Sequence, residues 1–410
     1  MTRYKKTAYS LGALLVVLLF SSPFIRNAVL ATPSPPIQIQ PVEMVRMDET
    51  PIRRARLFFV GDIMAHRPQV NAARYFGGVS YDFTPQFKEI LPLLSGADLL
   101  VGNLETVLGG AKTDADYTGY PLFNTPDSLL DALKNAGFDV LLLANNHAND
   151  KKPQGLLRTL EEIKKRGFLW AGVDDPQEGR SPVPLLMEVQ GIQMALLNYT
   201  YGSNTALPSK GAQLRPSLMD EAQILKDIAA ARDKSADIVV VCLHWGNEYA
   251  LKSSDAQRVL ASKLQEAGAD IIIGSHPHVV QPIEMAVSSA DGRPQLVAWS
   301  LGNFVSNQRP IPRERTMLLS VEITKKEGES RVSRVAVAPL WVQNMRKPHG
   351  FMRILHADET NPKLLSLNPA DRNKLLEAGA WVKRALGLAA ASRDEQGFYT
   401  LWESSPDVFN

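Results

Sequence analysis

The sequence predicts an α/β protein in which β-sheets carry helices packed on their outer faces. Three observations point there. Six short apolar runs recur along the chain, each ending in polar residues, and helical patterns with legible ends lie between most of them. Twice, moreover, a helix runs through glycine and aspartate into the next strand, in Asn135-Ala136-Gly137-Phe138-Asp139 and Glu266-Ala267-Gly268-Ala269-Asp270. We read this as shared capping chemistry, because the spacing is too irregular for a repeat protein.

With 410 residues there is ample material for a core. Forty-five basic against 43 acidic residues leave a net charge of +2 with no basic block, so a nucleic-acid partner is not expected. The single cysteine, Cys242, lies inside the apolar run Ile238 to Leu243 and reads as a small core residue. One cysteine excludes disulfides within the chain and thiolate zinc sites. Any metal must therefore be held by His, Asp, Glu and Asn.

In chain order, Arg3, Lys5 and Lys6 precede Ala8 to Ile25, a stretch without formal charge. It is expected to be a membrane-export signal or uncleaved anchor (residues 1–30), with its start in the cytoplasm and the folded part outside. Val29-Leu30-Ala31 would be the cleavage site if it is removed, which would leave a periplasmic or secreted protein. No cysteine lies just after the segment, so a lipoprotein anchor is ruled out. Residues 31–55, with Pro33, Pro35, Pro36, Pro41 and Pro51, read as an extended linker.

The main domain, 56–345, then carries the six runs. Leu57 to Val60 precedes Gly61-Asp62, Asp98 to Val101 precedes Gly102-Asn103-Leu104-Glu105, and Val140 to Leu143 precedes Ala144-Asn145-Asn146-His147. Ile238 to Leu243 precedes His244-Trp245-Gly246-Asn247-Glu248, Ile271 to Ile273 precedes Gly274-Ser275-His276-Pro277-His278, and Leu296 to Trp299 precedes Ser300-Leu301-Gly302-Asn303-Phe304. Helices are expected from a cap at Thr125 to Gly137, over Gln154 to Arg166, over Ser217 to Lys234 and over Ser254 to Ala267. Met317 to Thr324 and Arg331 to Val342 look like a β-hairpin, and residues 346–410 like a helical extension with a helix opened by Asn368-Pro369.

Open α/β sheets bind ligands at the carboxyl ends of their strands, and here all six ends bear Asp, Glu, Asn or His. Singly, each has a structural explanation as a turn or core residue. Together a carboxylate, a second carboxylate, an Asn-His and three histidines make a mixed O/N set large enough for two divalent ions, suited to Mn, Zn or Fe. His276 and His278, two apart in what should be extended backbone, would aim both rings at one point, with Pro277 stiffening the loop.

The ordered series Gly-Asp-Ile-Met (61–64), Asn-Leu-Glu (103–105), Asn-Asn-His-Ala-Asn-Asp (145–150), His-Trp-Gly-Asn-Glu (244–248), Gly-Ser-His-Pro-His (274–278) and Ser-Leu-Gly-Asn-Phe (300–304) resembles the CapA family of capsule and poly-γ-glutamate biosynthesis proteins. That family is in turn similar to the calcineurin-like metallophosphoesterases. The resemblance implies two packed β-sheets flanked by helices. It makes Asp62, Glu105, Asn146, His244, His276 and His278 metal ligands, Glu105 standing where the wider superfamily has a bridging Asp, and His147 the catalytic acid. Further candidates are His66, Asn103, Asp150, Glu248 and Asn303. Two departures stand out: Met64 occupies the place of a superfamily His, the nearest imidazole being His66, and Glu105 is a methylene longer than Asp.

Two functions are compatible with this. One is a metal-dependent hydrolase or transferase at the membrane, acting outside the cytoplasm on an anionic polymer or phosphoester. The other is an accessory subunit that binds polymer or a membrane synthase through the same pocket. An amidohydrolase barrel fits less well, since its His-x-His follows the first strand and here the pair comes late.

Overall fold

In the computed structural model, which describes residues 51–175, 184–208, 214–345, 351–388 and 390–405, the six apolar runs are strands with side chains buried on both faces. The expected membrane segment, and the linker up to residue 50, lie outside these residues. Among the described residues no helix is long and apolar enough to cross a membrane. Thr50–Asn410 forms one unit.

The elements are β1 (Arg53–Ile63), α1 (Arg67–Gly77), α2 (Leu91–Leu94), β2 (Leu99–Leu104), α3 (Ser128–Asn135), β3 (Val140–Leu142), α4 (Lys152–Lys165), β4 (Leu169–Ala171), β5 (Leu185–Val189), β6 (Ile192–Thr200) and α5 (Glu221–Asp233). There follow β7 (Ile238–His244), α6 (Asp255–Glu266), β8 (Ile271–Ser275), β9 (Ile283–Val287), β10 (Pro294–Ala298), β11 (Arg315–Lys326), β12 (Glu329–Met345), β13 (Phe351–His356), α7 (Pro369–Ala385) and β14 (Tyr399–Glu403).

They build two mixed sheets. The first has the order β13-β12-β11-β1-β2-β3-β4 with β14 also on β12, and the second the order β5-β6-β7-β8-β10-β9. Strands β1 to β4 are mutually parallel, as are β6, β7, β8 and β10. Strand alternation then sorts the side chains into layers. Leu57, Phe59, Leu99 and Val101 meet Leu196, Val240, Cys242, Ile271 and Ile273 between the sheets. The neighbours Phe58, Val60 and Leu100 face α3 and α4 on one outer surface, while Val239, Val241 and Ile272 face α5 and α6 on the other. The chain is thus an α/β sandwich of two sheets flanked by helices, and Cys242 is a core residue whose thiol burial pushes up, away from thiolate.

Three boundaries differ from expectation, each because a polar group found a better partner. Thr125 does not cap α3. Its hydroxyl bonds that of Thr106 (2.6 Å), and α3 starts three residues later. Residues 217–219 pair with Thr200 instead of opening α5, which begins after Asp220 accepts from the Gln223 amide (3.2 Å). The C-terminal segment contains α7 capped by Asn368, as anticipated, but it also supplies β13 and β14. At 17 residues β12 is long, and its outer edge would otherwise present unpaired backbone groups.

The sheets are pinned together at the end where β1 and β10 finish. Asp62 N–H donates to Gly302 O (3.0 Å), Met64 N–H to Val305 O (2.9 Å), and Val305 N–H to Asp62 O (3.2 Å). The backbones approach so closely that a Cβ on Gly61 would lie 1.8 Å from Gly302 O. Gly274 is enclosed likewise, its Cβ position 1.9 Å from Trp299 O. We expect Gly61→Ala to destabilise the fold by about 3 kcal/mol or more, because neither partner is a side chain that can swing aside. Urea unfolding of the variant checks this; a loss below about 1 kcal/mol would mean the two backbones can part.

Candidate functional site

The carboxyl ends of β1, β2 and β3 in one sheet and of β7, β8 and β10 in the other face a common space. The register of β1 on β2 shifts between Val60 and Asp62, a bulge at Gly61 that re-aims the following side chain. Asp62 Oδ1 accepts from Asn103 Nδ2 (2.8 Å), and its Oδ2 faces His278 Nδ1 (2.9 Å). The same Asn103 amide reaches Glu105 Oε2 (3.3 Å), and its Oδ1 accepts from Asn145 Nδ2 (3.2 Å). Asn103 is thereby a brace between the two acids, its own oxygen already taken.

From the second sheet, His244 presents Nδ1 to Ser275 Oγ (3.0 Å) and Nε2 to Asn146 Oδ1 (3.0 Å). Glu105 Oε1 lies 3.7 Å from His244 Nε2 and 3.8 Å from His278 Nε2. It is buried and has no hydrogen-bond partner. Ligand atoms of Asp62, Glu105 and His244 fall within 4.8 Å of one another, and so do those of Glu248, His276 and His278.

The two histidines of the Ser-His-Pro-His loop converge in a way the sequence did not suggest. They are not in extended backbone: His276 has φ +95° and His278 φ +58°, both left-handed. Such geometry costs about 1–2 kcal/mol per residue and persists only where the surroundings impose it. Here Tyr249 N–H holds Pro277 O (2.8 Å) and Asn303 Nδ2 holds His278 O (3.2 Å). The two rings end 5.9 Å apart, with His276 4.8 Å from His244.

Electrostatically the cluster is short of positive charge. Asp62 and Glu105 are fully buried, and among the described residues no Lys or Arg pairs with either. Burial, with Asp62 alongside, pushes the Glu105 carboxyl well above its usual range. Burial and the neighbouring imidazoles hold His244 well below 6.5, and burial with His278 brings His276 to about 4. Neutral imidazoles with lone pairs, and carboxylates lacking a counter-charge, are what a divalent ion requires. The 3.0 Å separation of His244 Nε2 from Asn146 Oδ1 suits the edge of a coordination shell, since ligands about 2.1 Å from one ion on perpendicular directions lie roughly 3 Å apart.

Around this set stand the other residues. His147, next to Asn146, turns to different partners: Nδ1 meets Asp150 Oδ2 (2.8 Å), Nε2 meets Asn204 Nδ2 (3.3 Å), and Phe123 packs edge-on at 4.7 Å. Asp150 Oδ2 is fixed in turn by the Phe123 amide (2.8 Å), so Asp150 orients the imidazole rather than joining the cluster. Glu248 is exposed at the mouth. His66 precedes α1, where its Nδ1 accepts from Asn307 N–H (3.3 Å), and burial lowers it to about 4. Met64 is buried in the core. The Asn303 amide donates to His278 O, to Gln308 Oε1 (3.1 Å) and to Arg313 O (3.0 Å), which ties three segments together.

Sequence reasoning missed Tyr201, whose ring lies 4.6 Å from that of His276 and parallel to that of His244, and Asn204 on the same loop. The signal was present in Ile192 to Leu197, a seventh apolar run ending in Asn198-Tyr199-Thr200-Tyr201. Asn198 is the cross-sheet counterpart of Asn103: its Oδ1 accepts from Ala144 N–H (2.8 Å) in the first sheet, and its Nδ2 donates to Cys242 O (3.2 Å) in the second.

Residues 56–308 match a family model described as bacterial capsule synthesis protein PGA_cap. The PGA biosynthesis protein CapA of Bacillus subtilis (strain 168) is 32% identical over 274 residues, 67% of this chain and 68% of that protein. The capsule biosynthesis protein CapA of Bacillus anthracis is 32% identical over 254 residues, 61% of this chain and 59% of that one. A probable polyglutamine synthesis accessory protein of Mycobacterium tuberculosis is 26% identical over 269 residues, 62% of this chain and 68% of that one. Among solved structures, the NAD nucleotidase of Haemophilus influenzae is similar with a TM-score of 0.45 and 12% identity, over 80% of this chain and 62% of that one. The calcineurin-like phosphoesterase YfkN of Bacillus subtilis is similar with a TM-score of 0.41 and 14% identity, over 80% and 99%.

Two acids bracket β2 and test the direction of the site. Asp98, at its amino end, accepts from Arg56 N–H (2.8 Å) and Gln190 Nε2 (2.7 Å), far along the strand from Glu105. Glu105→Gln should weaken metal binding by at least the roughly 10- to 100-fold typical of losing a supporting partner, and Asp98→Asn should leave it unchanged. Metal titration of both variants decides; equal losses would place the ion elsewhere.

Proposed function

The chain belongs to the bacterial capsule synthesis protein family, and from that premise we propose that it is a metal-dependent hydrolase of the phosphoesterase type, acting outside the cytoplasm on an anionic polymer or its phosphoester precursor. The observation that carries this reading is Glu105 Oε1, a buried carboxylate oxygen without a partner, set between His244 and His278 so as to border both groups of ligand atoms. Asp62, Glu105, His244 and Asn146 would hold one divalent ion, and His276, His278 and Glu248 a second, of Mn, Zn or Fe type. Bound there, such ions would polarise an ester or amide oxygen and lower the pKa of water.

The chain's own contribution is proton handling and placement. The Asp150 carboxylate accepts the His147 Nδ1 proton, so Nε2 is the atom free to give or take one. Asn204 marks where Nε2 points and would be displaced by a substrate oxygen. His147→Ala should keep the metal and lose turnover by ~10²- to 10⁴-fold, whereas His276→Ala should lose metal as well. Metal content and turnover of the two variants are measured side by side, on protein purified without added metal. Loss of metal from His147→Ala would remove it from the acid role.

The second reading, an accessory subunit without catalysis, is favoured by one observation: Met64 is buried in the core, while His66 is engaged at the start of α1, so the second ion would have fewer imidazoles. Its sign would be capsule function in cells kept by both variants. The proposed location follows from the basic start and apolar run of residues 1–30, which would anchor the chain beside a membrane synthase. A reporter fused after Asn410 should be active only outside the cytoplasm; activity confined to the cytoplasm would overturn that topology.

A further inference from the structure

We propose that Arg313 forms an anion subsite beside the metal-type cluster and reads a negatively charged group of the substrate next to the bond under attack. This deepens the hydrolase reading and rests on its premise that the substrate is anionic. The Arg313 guanidinium carbon lies 3.4 Å from the centre of the Tyr249 ring. The same ring lies 6.1 Å from that of His278, and Glu248 directly precedes Tyr249 in the chain. A single aromatic residue therefore separates the guanidinium from two members of the Glu248, His276, His278 group.

The placement is rigid. Tyr249 is itself in left-handed backbone (φ +65°), held by its N–H on the carbonyl of Pro277, between the two histidines. Asn303, fully buried, donates one amide to both His278 O and Arg313 O. The loop that aims the ligand and the loop that carries the cation are thus fastened to one side chain. A surface arginine without a task is not usually referenced to a metal ligand in this way.

The charge is also unspent. Arg313 Nη1 donates to Arg309 O (2.9 Å), and among the described residues no carboxylate stands within ion-pair distance of its guanidinium. The adjacent acid, Glu314, is directed to Arg315 at 3.8 Å. Among the described residues Arg309, on the same loop, donates to the Gln308 carbonyl and to Met352 Sδ (3.8 Å) and to no carboxylate. Stacked on an aromatic face, a guanidinium keeps its planar fork free for two parallel hydrogen bonds to a carboxylate or a phosphate. Glu248, Tyr249 and Tyr201 are exposed to solvent beside the cluster, and Arg313 is half-buried next to Tyr249.

The test uses the full-length chain in detergent, titrated calorimetrically with a γ-linked glutamate oligomer and, separately, with inorganic phosphate, at low and at high salt. R313Q should lose roughly 10- to 100-fold in affinity with a shallower salt dependence, while bound metal and unfolding midpoint stay as in the wild type. R313K should recover part of the loss, since it restores charge without the fork. R313M, whose stem still covers the Tyr249 ring, is a second neutral variant with the same expected loss. A loss seen with the oligomer assigns the subsite to a carboxylate, and one seen only with phosphate assigns it to a phosphoryl group. Wild-type affinity for both probes in R313Q and R313M overturns the proposal, as does a wild type that binds neither. None of these readings needs turnover, so failure of the hydrolase assignment would show separately, in the His147 and His276 variants.

Discussion

Everything at the site depends on two backbones being allowed to touch. Gly61 and Gly302 meet with no side chain between them, and the Asp62 amide closes on the Gly302 carbonyl at 3.0 Å. That contact joins the end of a strand in one sheet to the loop after a strand in the other. Without it the acids of the first sheet and the histidines of the second would face different solvent. Asn198 and Asn303 repeat the device with side chains, each using one amide group to tie segments that the sheet ladders leave independent.

The energetics of the pocket follow from that closure. Two carboxylates and three imidazoles are buried and, among the described residues, no Lys or Arg pairs with the carboxylates, which is unfavourable unless a cation or protons supply the missing charge. Left-handed backbone at His276, His278 and Tyr249 adds strain in the same few ångströms. A hydrophobic sandwich core from Leu57 to Ile273 is the counterweight that lets such a site persist.

The strands and their polar ends were legible because burial on both faces writes itself as uninterrupted apolar runs, and Asp62, Glu105, His244, His276 and His278 could be picked out by position alone. What the residues did not disclose is conformation. The His-Pro-His loop was expected to be extended, and positive φ at both histidines depends on hydrogen bonds from Tyr249 and Asn303, residues distant in sequence. Asn103 was marked as a ligand candidate by type and place, yet its oxygen is occupied by Asn145. The strand before Tyr201 was passed over since Asn198 and Thr200 interrupt its polar boundary, and β13 and β14 because their reason to exist is the free edge of β12.

The pairing of β1 has a further consequence. On one side its partner is β2, close by in the chain, but on the other it is β11, with Arg53 opposite Lys325. A strand that must wait for a neighbour so far downstream is completed late in folding, by a contact of high sequence separation. Asp62 sits on that strand, and His276 and His278 lie on a loop that closes against it. An ion meeting the chain earlier would find scattered side chains with no common centre. Were a metal held here, its ligands would come together only once β11 had docked, so the ion acquired would be one present where the chain finishes folding.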